Sequence, residues 1–417
     1  MNSSLQNRQG SSFSVTFPDF PSFSLIPHHF RLYQEVGKQD VIEITYSQFT
    51  QFYYKSLKQG VPIKMTWNNG TVNGTFYGYI YDVSFTTHQA MQRDTVIKAI
   101  GASLSLKENS TKIWLNKTAS EIVTDIAKTF KLKPIVTPHD VRFSQQSMVG
   151  HTYWEKVQEL AKRIGYVAQV YGTELHFHPV DTMIDKFSSA IPVLAFTDPF
   201  SNPWESDVSQ TLDMFKPRVS DYADLASHSK KEKSISGIDP VTGSTYTSTA
   251  SPSRVGKNLR SEVKDPLFKE HLPTLMTSSK AMSKSIADGQ AQLSRFSVRA
   301  NGAGQGDPRI SPYRTIEING TGDTTDGYWI VTKCTHFLAV DGRYQIDFEC
   351  MTDGVGKSLS SPSRPAVASV IPTRNVIAEL KSGVQVKPTR STLSRPTIMS
   401  NETKTGFKVT SSRWVGR

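Results

Sequence analysis

The chain has 417 residues, 37% of them apolar and 20% charged, with a formal net charge of +11. That length supports two to four domains and a sizeable core. The sequence holds no run of 18 or more apolar residues, which excludes an encoded membrane-spanning helix, and only two cysteines, too few for a disulfide-rich scaffold.

The charge is unevenly spread. Residues 357–417 hold eleven Lys or Arg against two acids, Glu379 and Glu402, so this stretch carries +9 and the remainder only +2. The first fourteen residues are polar and lack the basic start and apolar stretch of a secretory leader. The expectation is a product that stays in the cytoplasm where it is made unless an assembly carries it.

In chain order, residues 1–40 read as an N-terminal arm, extended and with a few anchors such as Phe17-Pro18-Asp19-Phe20-Pro21. Residues 41–115 read as the first part of a β-barrel region. Ile42, Ile44 and Tyr46 alternate with Glu43 and Thr45, as in a half-buried strand. Asn68-Asn69-Gly70 is a hairpin turn, because Asn and Gly accept positive φ. The aromatic series from Tyr77 to Phe85 is divided between core and interface, a reading preferred to a base-stacking or sugar-binding platform.

Residues 116–182 change period and read as an α/β insert of two helices plus a hairpin. Thr118-Ala119-Ser120-Glu121 and Thr152-Tyr153-Trp154-Glu155 are capping boxes. Ile122, Ile126 and Phe130 line one helix, and Val157, Leu160, Ala161 and Ile164 the other, with Gly165 as its C-cap. A hairpin turns at Gly172-Thr173. Residues 183–226 return to β structure, and the Ser/Lys-rich stretch 227–260 reads as a flexible loop, with too few large apolar side chains to offset its ordering entropy. Residues 261–300 form a helical segment with Met282, Ile286 and Leu293 on one side. Residues 301–356 form the second β-barrel region, and 357–417 a basic extended tail containing five prolines.

Few residues suggest chemistry. His176 and His178 share a strand face, but no third ligand is evident and the reading is a solvent-facing pair. Gly302-Ala303-Gly304-Gln305-Gly306 lacks the Gly-Lys-Ser/Thr ending of a phosphate loop and reads as a turn. Asp181, Asp185 and Asp198 are available carboxylates that nothing distinguishes from surface charge. A three-residue loop 341–343 would place Cys334 opposite Cys350 as a reduced cross-strand pair, and neither thiol has an ordered His and acid beside it. The candidate partner-binding residues are the tail cations Lys381, Lys387, Arg390, Arg395, Lys404, Lys408, Arg413 and Arg417. Spaced by Pro, Ser and Thr with few aromatics, they suit a strap along a protein; electrostatic contact with DNA is the alternative.

An ordered series of segments resembles the hub family of phage baseplates, which includes the late control D proteins and the N-terminal hub part of type VI secretion spikes. It runs from Gly78-Tyr79-Ile80 and Val83 to a strand ending near Leu106. Trp114-Leu115-Asn116-Lys117-Thr118 leads into Glu121-Ile122-Val123 and Ile126-Ala127. Phe143-Ser144-Gln145-Gln146 follows, then the helix from Tyr153 to Ala161 with Ile164-Gly165-Tyr166, then the hairpin 172–177. Residues 302–312, Tyr328-Trp329-Ile330-Val331, His336 and 344–350 complete it. The resemblance implies a mixed β and α+β chain with two tail-tube-like antiparallel β-barrel domains. It also implies a homotrimer whose pseudo-sixfold ring docks on a hexameric tail tube and holds a spike or tip on its other face. Tape measure and baseplate wedge proteins are further implied partners. The sequence departs from the secretion spikes in having no repetitive β-helix after residue 356, so any needle is a separate protein. No cofactor, metal or catalytic residue is expected. The alternative functions are a cell-wall-degrading tail hydrolase and a nucleic-acid-binding protein acting through the basic tail.

Overall fold

A computed structural model of the chain describes residues 10–21, 26–47, 56–87, 93–140, 142–186, 191–196, 211–218, 231–238, 243–250, 268–271, 279–294, 296, 298–321 and 325–352. The first six strands are β1 (Ser11–Thr16), β2 (His29–Glu35), β3 (Val41–Ser47), β4 (Pro62–Asn69), β5 (Asn73–Thr87) and β6 (Arg93–Gly101). They pair antiparallel in the order β1-β4-β5-β6-β3-β2. Every second residue points inward: Ile42, Ile44 and Tyr46 on β3 are buried, while Val41, Glu43, Thr45 and Ser47 stay half-buried. The six strands curl until Phe13 of β1 meets Phe30 of β2, ring centroids 5.1 Å apart. Phe30, Leu32, Ile42, Ile44, Met65, Ile80 and Ile97 fill the interior.

β5 changes face midway. Ile80 opposes Ala99, but Asp82 opposes Lys98, so Tyr81 is the extra residue of a bulge. Phe76 and Ile80 are therefore buried before it, and Val83 packs against the same core after it. Tyr77, Tyr79 and Phe85 are left exposed, as the division of the aromatic series between core and surface requires.

The insert follows a 3-10 turn, Ala102–Lys107. It comprises β7 (Ile113–Thr118), α1 (Ala119–Thr129), β8 (Lys133–Val136), β9 (Arg142–Ser147), α2 (Tyr153–Ile164), β10 (Tyr166–Tyr171), β11 (Glu174–Pro179) and α3 (Val180–Lys186). Both capping boxes form: Glu121 N–H donates to Thr118 Oγ1 at 3.1 Å and Glu155 N–H to Thr152 Oγ1 at 3.2 Å, with each Glu carboxylate accepting from its cap's N–H. Gly165 closes α2 at φ +73°, and the chain turns directly into the β10–β11 hairpin.

The remaining elements are β12 (Val193–Ala195), β13 (Leu212–Pro217), β14 (Lys231–Ile238), β15 (Thr245–Ala250), β16 (Phe268–His271), α4 (Lys280–Leu293), β17 (Val298–Gln305), β18 (Thr315–Asn319), β19 (Gly327–Ala339) and β20 (Tyr344–Thr352). β13, β17, β20, β19, β18 and β12 pair in that order. Thr211 joins the ends: its N–H donates to Ala195 O at 3.0 Å, and Ala195 N–H donates to its Oγ1 at 2.9 Å. This second half thus closes around Val298, Ile316, Ile318, Trp329, Val331 and Phe348.

One strand serves both halves. The start of β19 pairs with β18, and its later part, Lys333 to Ala339, pairs with β2. The two β regions expected from sequence are therefore halves of one continuous twelve-stranded sheet. The N-terminal arm is corrected accordingly. Its residues 11–16 and 29–35 are the strands β1 and β2, because Phe30 and Leu32 complete the first core while β2 offers both edges to neighbours.

The loop assigned to 227–260 is also corrected. β14 and β15 form a hairpin there, and β16 adds to β14 in parallel. Ile235 and Ala250 are buried in the same core as α4 and the insert, so a few apolar side chains suffice once a neighbouring surface exists to receive them. α4 runs from Lys280 to Leu293, within the helical segment expected, and begins at Ser279, whose Oγ accepts from Met282 N–H at 3.2 Å. It crosses α2 so closely that a Cβ built on Gly289 would lie 2.2 Å from the Gly165 Cα.

Two local expectations fail for steric reasons. Gly302 and Gly304 lie within strand β17 rather than in a turn. A Cβ at Gly302 would meet the Phe348 ring at 2.3 Å, and one at Gly306 the Tyr344 ring at 2.2 Å, so these glycines make room for aromatic side chains of β20. The β19–β20 loop is Val340-Asp341-Gly342, one residue earlier than expected, because Gly342 takes the positive φ (+79°) at its third position. The register moves with it: Cys334 opposes Phe348 and Cys350 opposes Val331, and both thiols are free and buried.

Candidate functional site

Side chains alternating with the two cores form one outward face across β6, β3, β2, β19, β20 and β17. Register aligns them in rows. Lys98, Glu43, Arg31, Phe337, Gln345 and Gln305 make one row, strand by strand. Tyr33, Thr335, Asp347 and Ala303 make the next, and Glu35, Lys333, Glu349 and Asn301 a third. The rows cross the joint between the halves without interruption, so β2 and β19 sit at the centre of the surface rather than at an edge.

Charge alternates along these rows. Glu43 accepts from Lys98, with Nζ 3.3 Å from Oε1, and from Tyr33 Oη at 3.3 Å. That hydrogen bond, with the carboxylate charge, raises the Lys98 pKa. Lys333 Nζ lies 3.3 Å from Glu349 Oε1, and the Arg31 guanidinium stands 5.5 Å from the centre of the Phe337 ring. Each exposed pair contributes about 0–1 kcal/mol, so the pairs fix the charge pattern more than they fix the fold. A shallow groove of about 550 Å3 runs down the middle, lined by residues that include Arg31, Tyr33, Asp213, Thr335, Phe337 and Asp347. This arrangement offers hydrogen bonds and balanced charge to a hydrated neighbour, with Phe337 as its aromatic element.

Beneath this face the joint is locked by a buried chain of hydrogen bonds. His336 Nε2 lies 2.9 Å from Ile310 O, so it is the protonated nitrogen and donates. Nδ1 therefore accepts from Tyr344 Oη at 2.8 Å, and Tyr344 Oη accepts from Trp67 Nε1 at 2.9 Å. Burial lowers the His336 pKa to about 4, which keeps the ring neutral. β4, β19, β20 and the segment before β18 are tied by these three bonds.

The basic residues Lys381, Lys387, Arg390, Arg395, Lys404, Lys408, Arg413 and Arg417 lie outside the described residues, as does Asp198. His176 and His178 are 2% and 4% exposed, so the solvent-facing reading is corrected. Their strand, β11, is covered on that face by Tyr171, whose ring lies 5.1 Å from that of His176. Among the described residues no group of three or more His, Cys, Asp or Glu side chains is placed to hold a metal ion, and no helix is long and apolar enough to cross a membrane. Of the surface rows, only Glu43 was marked from sequence as outward-facing. Charged residues at alternate positions of Arg31-Leu32-Tyr33, Asp347-Phe348-Glu349 and Lys98-Ala99 carry the same signal. They become a surface only once β2 is known to pair with β19.

No family model and no curated protein matches the sequence. Solved structures do. A tail protein from Neisseria meningitidis MC58 superposes with a TM-score of 0.59 at 11% identity, covering 83% of this chain and 98% of that one. The 43 kDa tail protein of prophage MuSo2 from Shewanella oneidensis superposes with a TM-score of 0.56 at 13% identity, covering 83% of this chain and 100% of that one. The chain therefore has the fold of these tail proteins, the antiparallel β fold that the resemblance to baseplate hubs implies.

Proposed function

We propose that the protein is the structural hub at the distal end of a phage tail tube. In this reading it is a homotrimer that adapts a sixfold tube to a threefold spike or tip and nucleates baseplate assembly. The observation that carries the reading is the sheet of six plus six strands joined through β2 and β19. Three copies of a chain with two six-stranded halves present six such units, which resolves a six-to-three mismatch with closed symmetry. The balanced, hydrated face across both halves suits the wall of a channel that must pass a polymer without holding it.

The protein acts through interfaces rather than as an enzyme, and its place is the virion tail. Tube protein binds one side and the spike or tip the other, with tape measure and wedge proteins as further neighbours. The basic residues 357–417 strap along a protein partner; a salt-dependent affinity for DNA that disappears when they are deleted would move that segment to the nucleic-acid reading. The test of the hub reading is co-assembly. Mixed with its tail tube protein, the chain caps one end of each tube in negative-stain images. Tubes that remain uncapped, or release of cell-wall fragments by the purified chain, would contradict the proposal.

A further inference from the structure

Where the first β half, the insert and the second β half meet, they line a partly open cavity of about 160 Å3. Asp40, in the turn between β2 and β3, contributes a carboxyl group to its wall and is 9% exposed. Its Oδ2 accepts from Gln34 Nε2 at 2.8 Å, and its Oδ1 is buried without a hydrogen-bond partner among the described residues. The backbone around it is fixed, since Gly101 N–H donates to Asp40 O at 2.8 Å. Across the cavity stand Tyr171 of β10 and Arg314 of the segment before β18. Tyr171 Oη donates to Pro312 O, and Arg314 Nε donates to Ser311 Oγ at 3.1 Å while its guanidinium stands over the Tyr171 ring. Behind Gln34 lies the Cys334 thiol, whose Sγ is 3.7 Å from Gln34 Oε1 and 3.7 Å from His336 Nε2. The charged residues nearest Asp40 in the chain are paired elsewhere on the surface, Lys38 with Glu35 at 2.7 Å and Glu43 with Lys98 at 3.3 Å.

We propose that Asp40 is a proton-operated latch on this three-way junction. Protonated, its carboxyl is neutral and the Gln34 contact holds. Ionised, it places a charge on Oδ1, an oxygen with no hydrogen-bond partner among the described residues. Water then reaches the carboxylate, the Gln34 contact loosens, and the insert, held to the same turn by Gly37 N–H to Gln169 Oε1 and by Trp154 Nε1 to Gly37 O, gains freedom against the β halves. Burial raises the Asp40 pKa to about 7, so the latch operates near neutrality. The other ionisable groups at the junction hold their state through that range. Burial keeps His336 neutral with a pKa of about 4 and raises the pKa values of Cys334 and Tyr171 above their ordinary values. Burial lowers the Arg314 pKa from its ordinary value, yet a guanidinium remains charged near neutrality.

Cys334 supplies the readout, because its thiol is buried behind Gln34 and reacts only when the junction opens. The experiment compares the full chain with its Asp40→Asn variant, which keeps an acceptor for Gln34 but cannot ionise. Both are treated with 4,4′-dithiodipyridine, and the Cys334 peptide is quantified by mass spectrometry. The ratio of wild-type to variant modification rates is expected near one at about pH 5, rising to about tenfold or more at about pH 8.5. A ratio that does not change with pH overturns the proposal. Denaturation midpoints provide a second reading that does not depend on the thiol. The Asn variant gains on the wild type as pH rises through about 7, and parallel pH profiles likewise overturn the latch.

Discussion

At the scale of single residues, the joint between the β halves is a chain of donors and acceptors whose directions are all determined. The Ile310 carbonyl fixes the His336 tautomer, and that in turn orients the Tyr344 hydroxyl toward Nδ1 and leaves it free to accept from Trp67. A neutral histidine held this way makes stability depend on pH with a definite sign. Its folded-state pKa, about 4, is depressed below the ordinary 6.5, so its contribution is complete above pH 6.5 and is lost as pH falls through about 4. The difference of roughly 2.5 units corresponds to about 3 kcal/mol. Against a His336→Gln variant, wild type is expected to lose about that much stability to denaturant between pH 6.5 and 4. A constant difference between the two across that interval would show that the ring is not held neutral. Asp40 has the opposite sign: its raised pKa makes its contribution greatest below 3.8 and lost as pH rises through about 7. The His336→Gln comparison separates the two slopes.

At the scale of elements, the clearest sequence signals were local ones. The capping boxes at Thr118 and Thr152 and the C-cap at Gly165 are complete within a few residues of sequence, and each stands where the sequence places it. Long-range partners were harder to read. β1 and β2 read as an arm in the sequence because β1 pairs with β4 and β2 with β19, the latter about three hundred residues away. The β14–β15 hairpin was taken for a loop because its share of the core is small and its receiving surface, α4 and the insert, is distant in sequence. The cysteine register shifts with a single loop residue, since the position of Gly342 sets the pairs from Lys333 to Leu338, and a bulge between Val331 and Lys333 then sets the partner of Cys350. The hidden contact between α4 and α2 gives a prediction of its own. Gly289→Val forces a side chain against the Gly165 backbone and is expected to destabilise by about 1–3 kcal/mol. Protease cleavage should then rise between β13 and β17 while the two β halves keep their resistance. Unchanged cleavage would mean that α4 does not rest on Gly165.

At the scale of the whole molecule, twelve strands form two six-stranded halves around separate cores, and one strand, β19, belongs to both. The halves therefore keep a fixed relation through backbone hydrogen bonds, which a linker between two independent barrels would not impose. Under the proposed function, this rigid pair of six-stranded units lets a threefold assembly present six positions to a tube. The insert packs through Val167, Val180, Met183 and Ile184 against Ile330 and Met351, at the end of the charged face that crosses β6, β3, β2, β19, β20 and β17. The measurement that tests this account most directly is the native mass of the full chain by light scattering or native mass spectrometry. The account predicts a trimer, three times 46.4 kDa, appearing in negative-stain images as a ring of six similar lobes around a hole. A monomer that stays monomeric at high concentration and in the presence of its tube protein would contradict it.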